Sequence, residues 1–91
     1  MYLEISEANN FFRLEGNLDK STVAYFKKQF QNIFESLNNI TISIEDVEKI
    51  DKYGVSALAH LQNESYTRKK RLSIVGSGHN DVYHYFMSEN Q

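Results

Sequence analysis

Between residues 20 and 37, Val23, Phe26, Phe30, Ile33, Phe34 and Leu37 recur at three- and four-residue spacing, while Lys27, Lys28, Gln31 and Glu35 take the positions between them. That period predicts one amphipathic helix over residues 20–37, with Asp19 placed to cap it. Each large apolar side chain removed from water is worth about 1.5–3 kcal/mol, so this face is expected to be the main lid on the core. An aromatic stripe can also line a ligand pocket; packing is the simpler reading of this one.

The segments around it read as strands. "MYLEIS" and "FFRLEG" flank "EANN", where Asn9 and Asn10 suit a tight turn, so the pair reads as a β-hairpin, with Gly16 and Asn17 expected to break its second strand. "ITISI", residues 40–44, alternates isoleucine with small polar residues, which gives one apolar face. Next comes "KIDKYGVSAL", residues 49–58, a turn opening into a helix. Asp51 is its candidate cap, and the helix is predicted from about Gly54 to Thr67 with Val55, Leu58 and Ala59 on its inner face. Tyr53 is left at the tip, pointing outward. "RLSIVG" is a further strand closed by Gly76 and Gly78, and Val82, Tyr85 and Phe86 form one stripe of a last helix over residues 81–88. The order β-β-α-β-α-β-α predicts an α/β fold, a mixed sheet with right-handed crossovers and helices packed chiefly on one face. Residues 1–91 are expected to form a single domain.

Bulk properties narrow the function. With no cysteine, disulfides and thiolate metal sites are excluded. No apolar run reaches transmembrane length and the first residues lack a signal-peptide layout, so the default location is the cytoplasm. A formal charge of −2 argues against nonspecific nucleic-acid binding. The cluster Arg68, Lys69, Lys70 and Arg71 reads as a solvated helix end running into a strand.

Convergent catalytic groups are scarce. His60, His79 and His84 lack metal-ligand spacing, so no metal is expected, and His60 reads as a surface partner of Glu64 one turn on. "VGSGHND" sits at a strand-to-helix turn, where backbone N–H groups suit an anion, but it has neither the GxGxxG spacing nor a P-loop lysine. Glu45, Asp46, Glu48 and Asp51 make an acidic rim able to attract a basic partner surface. No cofactor is expected.

The run "ITISIEDVEKIDKYGVSALAHL" resembles the signature of STAS domains, the sulphate-transporter and anti-sigma-antagonist family. "FRLEGNLDKSTVAYF" is similar to that family's glycine-leucine-aspartate turn into its first long helix, and "RLSIVGSGHNDVYHYF" to its later strand and helix. The resemblance spans roughly residues 11–87 and implies a non-enzymatic module. In its anti-anti-sigma branch, the corner and following helix bind a kinase-type anti-sigma factor, and phosphorylation of the serine before the glycine breaks that contact by adding about two negative charges. Carried over by position, Asp51 matches the family's aspartate and Gly54 its glycine, while the acceptor position falls on Tyr53. The implied docking residues are Asp51, Lys52, Tyr53, Gly54, Ser56, Ala57 and His60, within a loop and helix from Asp51 to Leu61. Tyr53, Ser56 and Ser77 are the candidates for modification. "GSGHNDVYHYFMSEN" also resembles the end of the small STAS subunits that sit on the ATPase of bacterial phospholipid-transport systems. The expected partner is therefore a protein, either an anti-sigma kinase-type regulator or a transporter ATPase. From a different class comes a third reading, a small domain holding a nucleotide or phosphate at the Ser77–Asp81 turn.

Overall fold

The structure, a computed structural model, describes residues 2–76. Strands β1 (Leu3–Ala8) and β2 (Phe11–Leu18) pair antiparallel, in register from Leu3 opposite Gly16 to Ala8 opposite Phe11. Their two-residue turn holds Asn9 at φ 52° and Asn10 at φ 68°, the left-handed pair that a hairpin turn matching strand twist requires. Contrary to expectation, Gly16 and Asn17 do not end β2. Gly16 has φ +111° and a Cβ there would strike the Tyr2 carbonyl, which accepts a 2.7 Å hydrogen bond from the Asn17 N–H. Glycine serves close approach at that point, and the strand runs on to Leu18.

The segment expected as one helix is two, α1 (Val23–Gln29) and α2 (Ile33–Ser36). Asn32 breaks it with a left-handed φ of 60°, a conformation asparagine tolerates better than most residues. The apolar period survives because the single turned residue keeps both helices on one stripe. Phe26, Phe30 and Phe34 are all buried, and the Phe30 ring lies 4.7 Å from that of Phe26 and 5.0 Å from that of Phe12. Asp19 does not cap α1, whose N-cap is Thr22. It organises the preceding turn instead, where its Oδ1 accepts from the Ser21 N–H at 2.9 Å and the Ser21 hydroxyl at 2.6 Å. Those donors hold the Asp19 carboxyl below the usual carboxylate range, the Ser21 hydroxyl most of all.

β3 (Asn39–Ile50) then runs parallel to β2, α3 (Lys52–Thr67) returns, and β4 (Arg71–Val75) pairs parallel to β3. The sheet order is β1-β2-β3-β4, a mixed sheet in which each parallel step is a crossover through helix. β3 extends past "ITISI" through the acidic run, because two register shifts against β2 reset its alternation. Ile44, Val47 and Ile50 are buried at intervals of three, with exposed pairs Glu45–Asp46 and Glu48–Lys49 between them. Two bulges thus keep one face apolar along a strand whose sequence does not alternate.

The core joins Leu14, Leu18, Phe26, Phe34, Ile42 and Leu58 between the helices and one face of the sheet. On the other face Phe11 and Arg13 are exposed, and the Arg13 guanidinium holds Asp46 at 2.7 Å and Glu15 at 3.4 Å. The predicted acidic rim is therefore dispersed: Asp46 faces Arg13 across the sheet, and Asp51 caps α3. The turn carrying Ser77, Gly78 and His79, and the predicted helix with Val82, His84, Tyr85 and Phe86, lie outside the described residues. Within the described residues, the element order matches the α/β expectation apart from the divided first helix.

Candidate functional site

α3 begins at Lys52, two residues earlier than predicted, because Asp51 supplies the cap. The Asp51 backbone is extended, and its Oδ1 accepts from the Tyr53 N–H at 2.9 Å and the Gly54 N–H at 3.0 Å. These are two of the donors a helix start leaves without intrahelical partners. Its Oδ2 accepts from the Lys20 N–H at 2.9 Å, in the loop before α1. One carboxylate thus ties two chain segments 31 positions apart. The Asp51 N–H meanwhile donates to the Leu18 carbonyl at 3.3 Å.

Gly54 is fixed by the same junction. A Cβ on it would collide with the Leu18 carbonyl and lie 2.9 Å from Ile50 Cγ1, so the helix crosses the end of β2 at a distance only glycine permits. Gly54, one of the residues the resemblance implies for docking, is buried and sets the position of the corner. Ala57 is also buried, at 5% exposure. It forms the floor of a groove and contributes little contact area of its own.

Tyr53, Lys52, Ser56 and His60 do reach solvent. Tyr53 is 42% exposed, and two ammonium groups lie over its ring, Lys52 Nζ at 5.5 Å and Lys20 Nζ at 5.7 Å from the centroid. Both distances fall within cation–π range. Ser56 follows one turn later and His60 two turns later on the same side of α3. Both line a groove of about 600 Å³ also lined by Lys27 and Lys28 at the end of α1 and by Gln31 in the turn after it. The expected His60–Glu64 pair is absent among the described residues, since Glu64 turns to Arg68 at 3.3 Å. Arg68 ends α3 and Lys70 Nζ donates to Asn38 Oδ1 at 2.7 Å, so the basic cluster is a helix end leading into β4, as read from the sequence.

Lys20, Lys27 and Lys28 belong to this surface and were not singled out by sequence. Lys27 and Lys28 read as a generic polar face, and nothing local in the sequence places Lys20 beside Tyr53. No cluster of three or more metal-ligating side chains occurs among the described residues. No helix among them is long and apolar enough to cross a membrane.

Among the described residues, a mixed four-stranded sheet, helices on one face, and a capped helix start projecting from the end of β3 define a small α/β domain with an exposed loop-helix corner. The family model of the STAS domain matches residues 2–86, and the chain belongs to that family. No curated protein matches the sequence. Solved structures that resemble it include the anti-sigma factor antagonist SpoIIAA in its unphosphorylated form, at 19% identity and a TM-score of 0.66 over 80% of this chain and 71% of that one. An antisigma-factor antagonist STAS domain from Rhodobacter sphaeroides matches at 22% identity and a TM-score of 0.60, covering 82% of this chain and 85% of the other. An anti-sigma factor antagonist from Mycobacterium paratuberculosis matches at 13% identity and a TM-score of 0.64, over 98% and 80% respectively. At these identities the likeness establishes the fold.

Proposed function

We propose that this STAS domain is a non-catalytic protein-interaction module, an anti-sigma factor antagonist-like regulator that acts in the cytoplasm. It docks its partner through the loop and helix from Asp51 to Leu61. The observation that carries the reading is Tyr53, an exposed ring at the first turn of a helix whose start is held by Asp51. Aromatic rings on rigid backbone are favoured interface anchors, because they bury much area while ordering few torsions. The solved anti-sigma factor antagonists with this fold favour the regulatory class over an enzymatic one.

In this chain the position of the family's phosphorylatable serine belongs to Tyr53, so the corner works as a constitutive contact. Tyr53 itself and Ser56, exposed on the next turn, carry the hydroxyls whose modification would weaken docking. The partner is a kinase-type anti-sigma regulator; a transporter ATPase is the other outcome the test distinguishes.

Affinity capture from the native cell, with mass spectrometry, identifies the partner and any phosphate on Tyr53 or Ser56. Titration calorimetry then compares wild type with Tyr53→Ala. A hot-spot ring is worth at least about 2 kcal/mol, or roughly a thirtyfold loss of affinity, with folding intact. Equal affinity for the two proteins would refute the docking role.

A further inference from the structure

The charges around the corner are unevenly arranged. Lys20 and Lys52 flank Tyr53, while Lys27 and Lys28 stand across the groove from His60. Among the described residues none of these four ammonium groups is ion-paired with a carboxylate. Asp19, Asp51 and Glu64 are already engaged: Asp19 accepts from the Ser21 N–H and hydroxyl, Asp51 accepts three backbone N–H groups, and Glu64 pairs with Arg68. A chain of formal charge −2 therefore presents two lysine pairs with no carboxylate partner among the described residues, one at the Tyr53 ring and one lining the furrow between α1 and α3, which Ser56 lines one turn on from Tyr53.

We propose that this furrow and the Tyr53 corner together receive an acidic segment of the protein partner, whose carboxylates meet Lys20 and Lys52 at the corner and Lys27 and Lys28 in the furrow opposite His60. The inference rests on the docking reading above and adds the chemistry of what docks. Tyr53 and His60 are seven residues apart on α3, about 10 Å along its axis. Acidic groups two turns apart on a partner helix, or three residues apart on an extended strand, span that distance. Complementary charge of this kind raises the association rate and excludes basic surfaces. Four cations on a net-negative chain give too small a counterion-release term to favour a nucleic-acid strand.

The full-length chain, labelled with nitrogen-15, is titrated at low ionic strength with fluorescein-labelled decaglutamate, following amide shifts and anisotropy. Shifts are expected to concentrate on Lys20, Lys27, Lys28 and residues 52–60, with affinity falling as salt is added. K27E/K28E should lower affinity about tenfold or more, whereas K69E/R71E, an equal change of charge at the far end of α3, should leave it within about twofold. The inference is overturned by an absence of binding, by shifts centred on Lys69 to Arg71, or by equal losses in both variants. Tighter binding of a ten-residue oligothymidine, or of phosphatidylglycerol vesicles, overturns it as well. The two claims fail separately. An identified partner lost by Tyr53→Ala but held at full affinity by K27E/K28E removes the acidic segment and leaves the docking corner. A partner indifferent to Tyr53→Ala removes the Tyr53 reading, while the decaglutamate result stands on its own.

Discussion

Asp51 divides its carboxylate between two stretches of chain, so a graded pair of substitutions separates the two duties. Asp51→Asn keeps a carbonyl oxygen for the Tyr53 and Gly54 N–H groups but turns an amide NH₂ toward the Lys20 N–H, which it cannot accept. Only the tie to the α1 loop is lost. A hydrogen bond of that kind contributes a net of about 0.5–1.5 kcal/mol, so a loss of about 1 kcal/mol is expected. Asp51→Ala removes the cap as well, typically about 1 kcal/mol more, for a total near 2 kcal/mol. For a domain of this size each kcal/mol shifts Tm by about 4–8 °C. Thermal and urea unfolding followed by circular dichroism should therefore place Asp51→Asn about 4–8 °C below wild type and Asp51→Ala about 8–16 °C below. Equal losses in the two variants would mean that the Lys20 tie contributes nothing. An Asp51→Ala protein as stable as wild type would refute the cap.

Gly54→Ala sets a gain of about 1 kcal/mol in helix propensity against a clash with the Leu18 carbonyl. Overpacking costs about 1–3 kcal/mol, so urea unfolding should find a net loss; a stabilised variant would show that α3 is free to move off β2. Asn32→Ala should cost about 1–2 kcal/mol because alanine resists the left-handed φ of 60°, while Asn32→Gly should stay within about 0.5 kcal/mol of wild type. Asp19 titrates low in the folded chain, chiefly through the Ser21 hydroxyl. Its contribution is present above the unfolded carboxyl value of about 3.9 and is lost as pH falls through the lower folded value. The stability gap between wild type and Ser21→Ala, read by urea unfolding, should be open at pH 7 and narrow below about pH 4. A gap of constant size between pH 7 and pH 3 would contradict that origin.

Features that depend on neighbours in sequence were legible in advance. The Asn9–Asn10 hairpin, the Asp51 cap and the buried phenylalanine stripe each follow from residues a few positions apart. The break at Asn32 was hidden because one left-handed residue leaves the spacing of Phe26, Phe30 and Phe34 intact. The far half of β3 was hidden because bulges replace alternation with a three-residue interval, which looks like an acidic loop. Within the site, Tyr53 could be placed at a tip from local pattern alone. The lysine across from it could not, since Lys20 reaches Tyr53 only through a parallel sheet that brings the ends of β2 and β3 together. The burial of Gly54 was out of reach for the same reason, since it comes from Leu18 at the end of β2 and Ile50 at the end of β3.

That parallel pairing also governs when the proposed docking corner comes into being. The β1–β2 hairpin closes locally, on a timescale of about 1–10 μs. Each parallel pairing must first close a loop that contains a whole helix, and contacts of such high sequence separation form late and slowly. The bond from the Lys20 N–H to Asp51 joins positions 31 apart, so no nascent or partly folded chain lacking the β2–β3 pairing displays Tyr53 with both of its lysines. On the proposed docking reading, recognition at this corner is a test of completed folding. By mass action, a partner present at a hundred times its Kd would in turn hold the domain folded by about 2.7 kcal/mol.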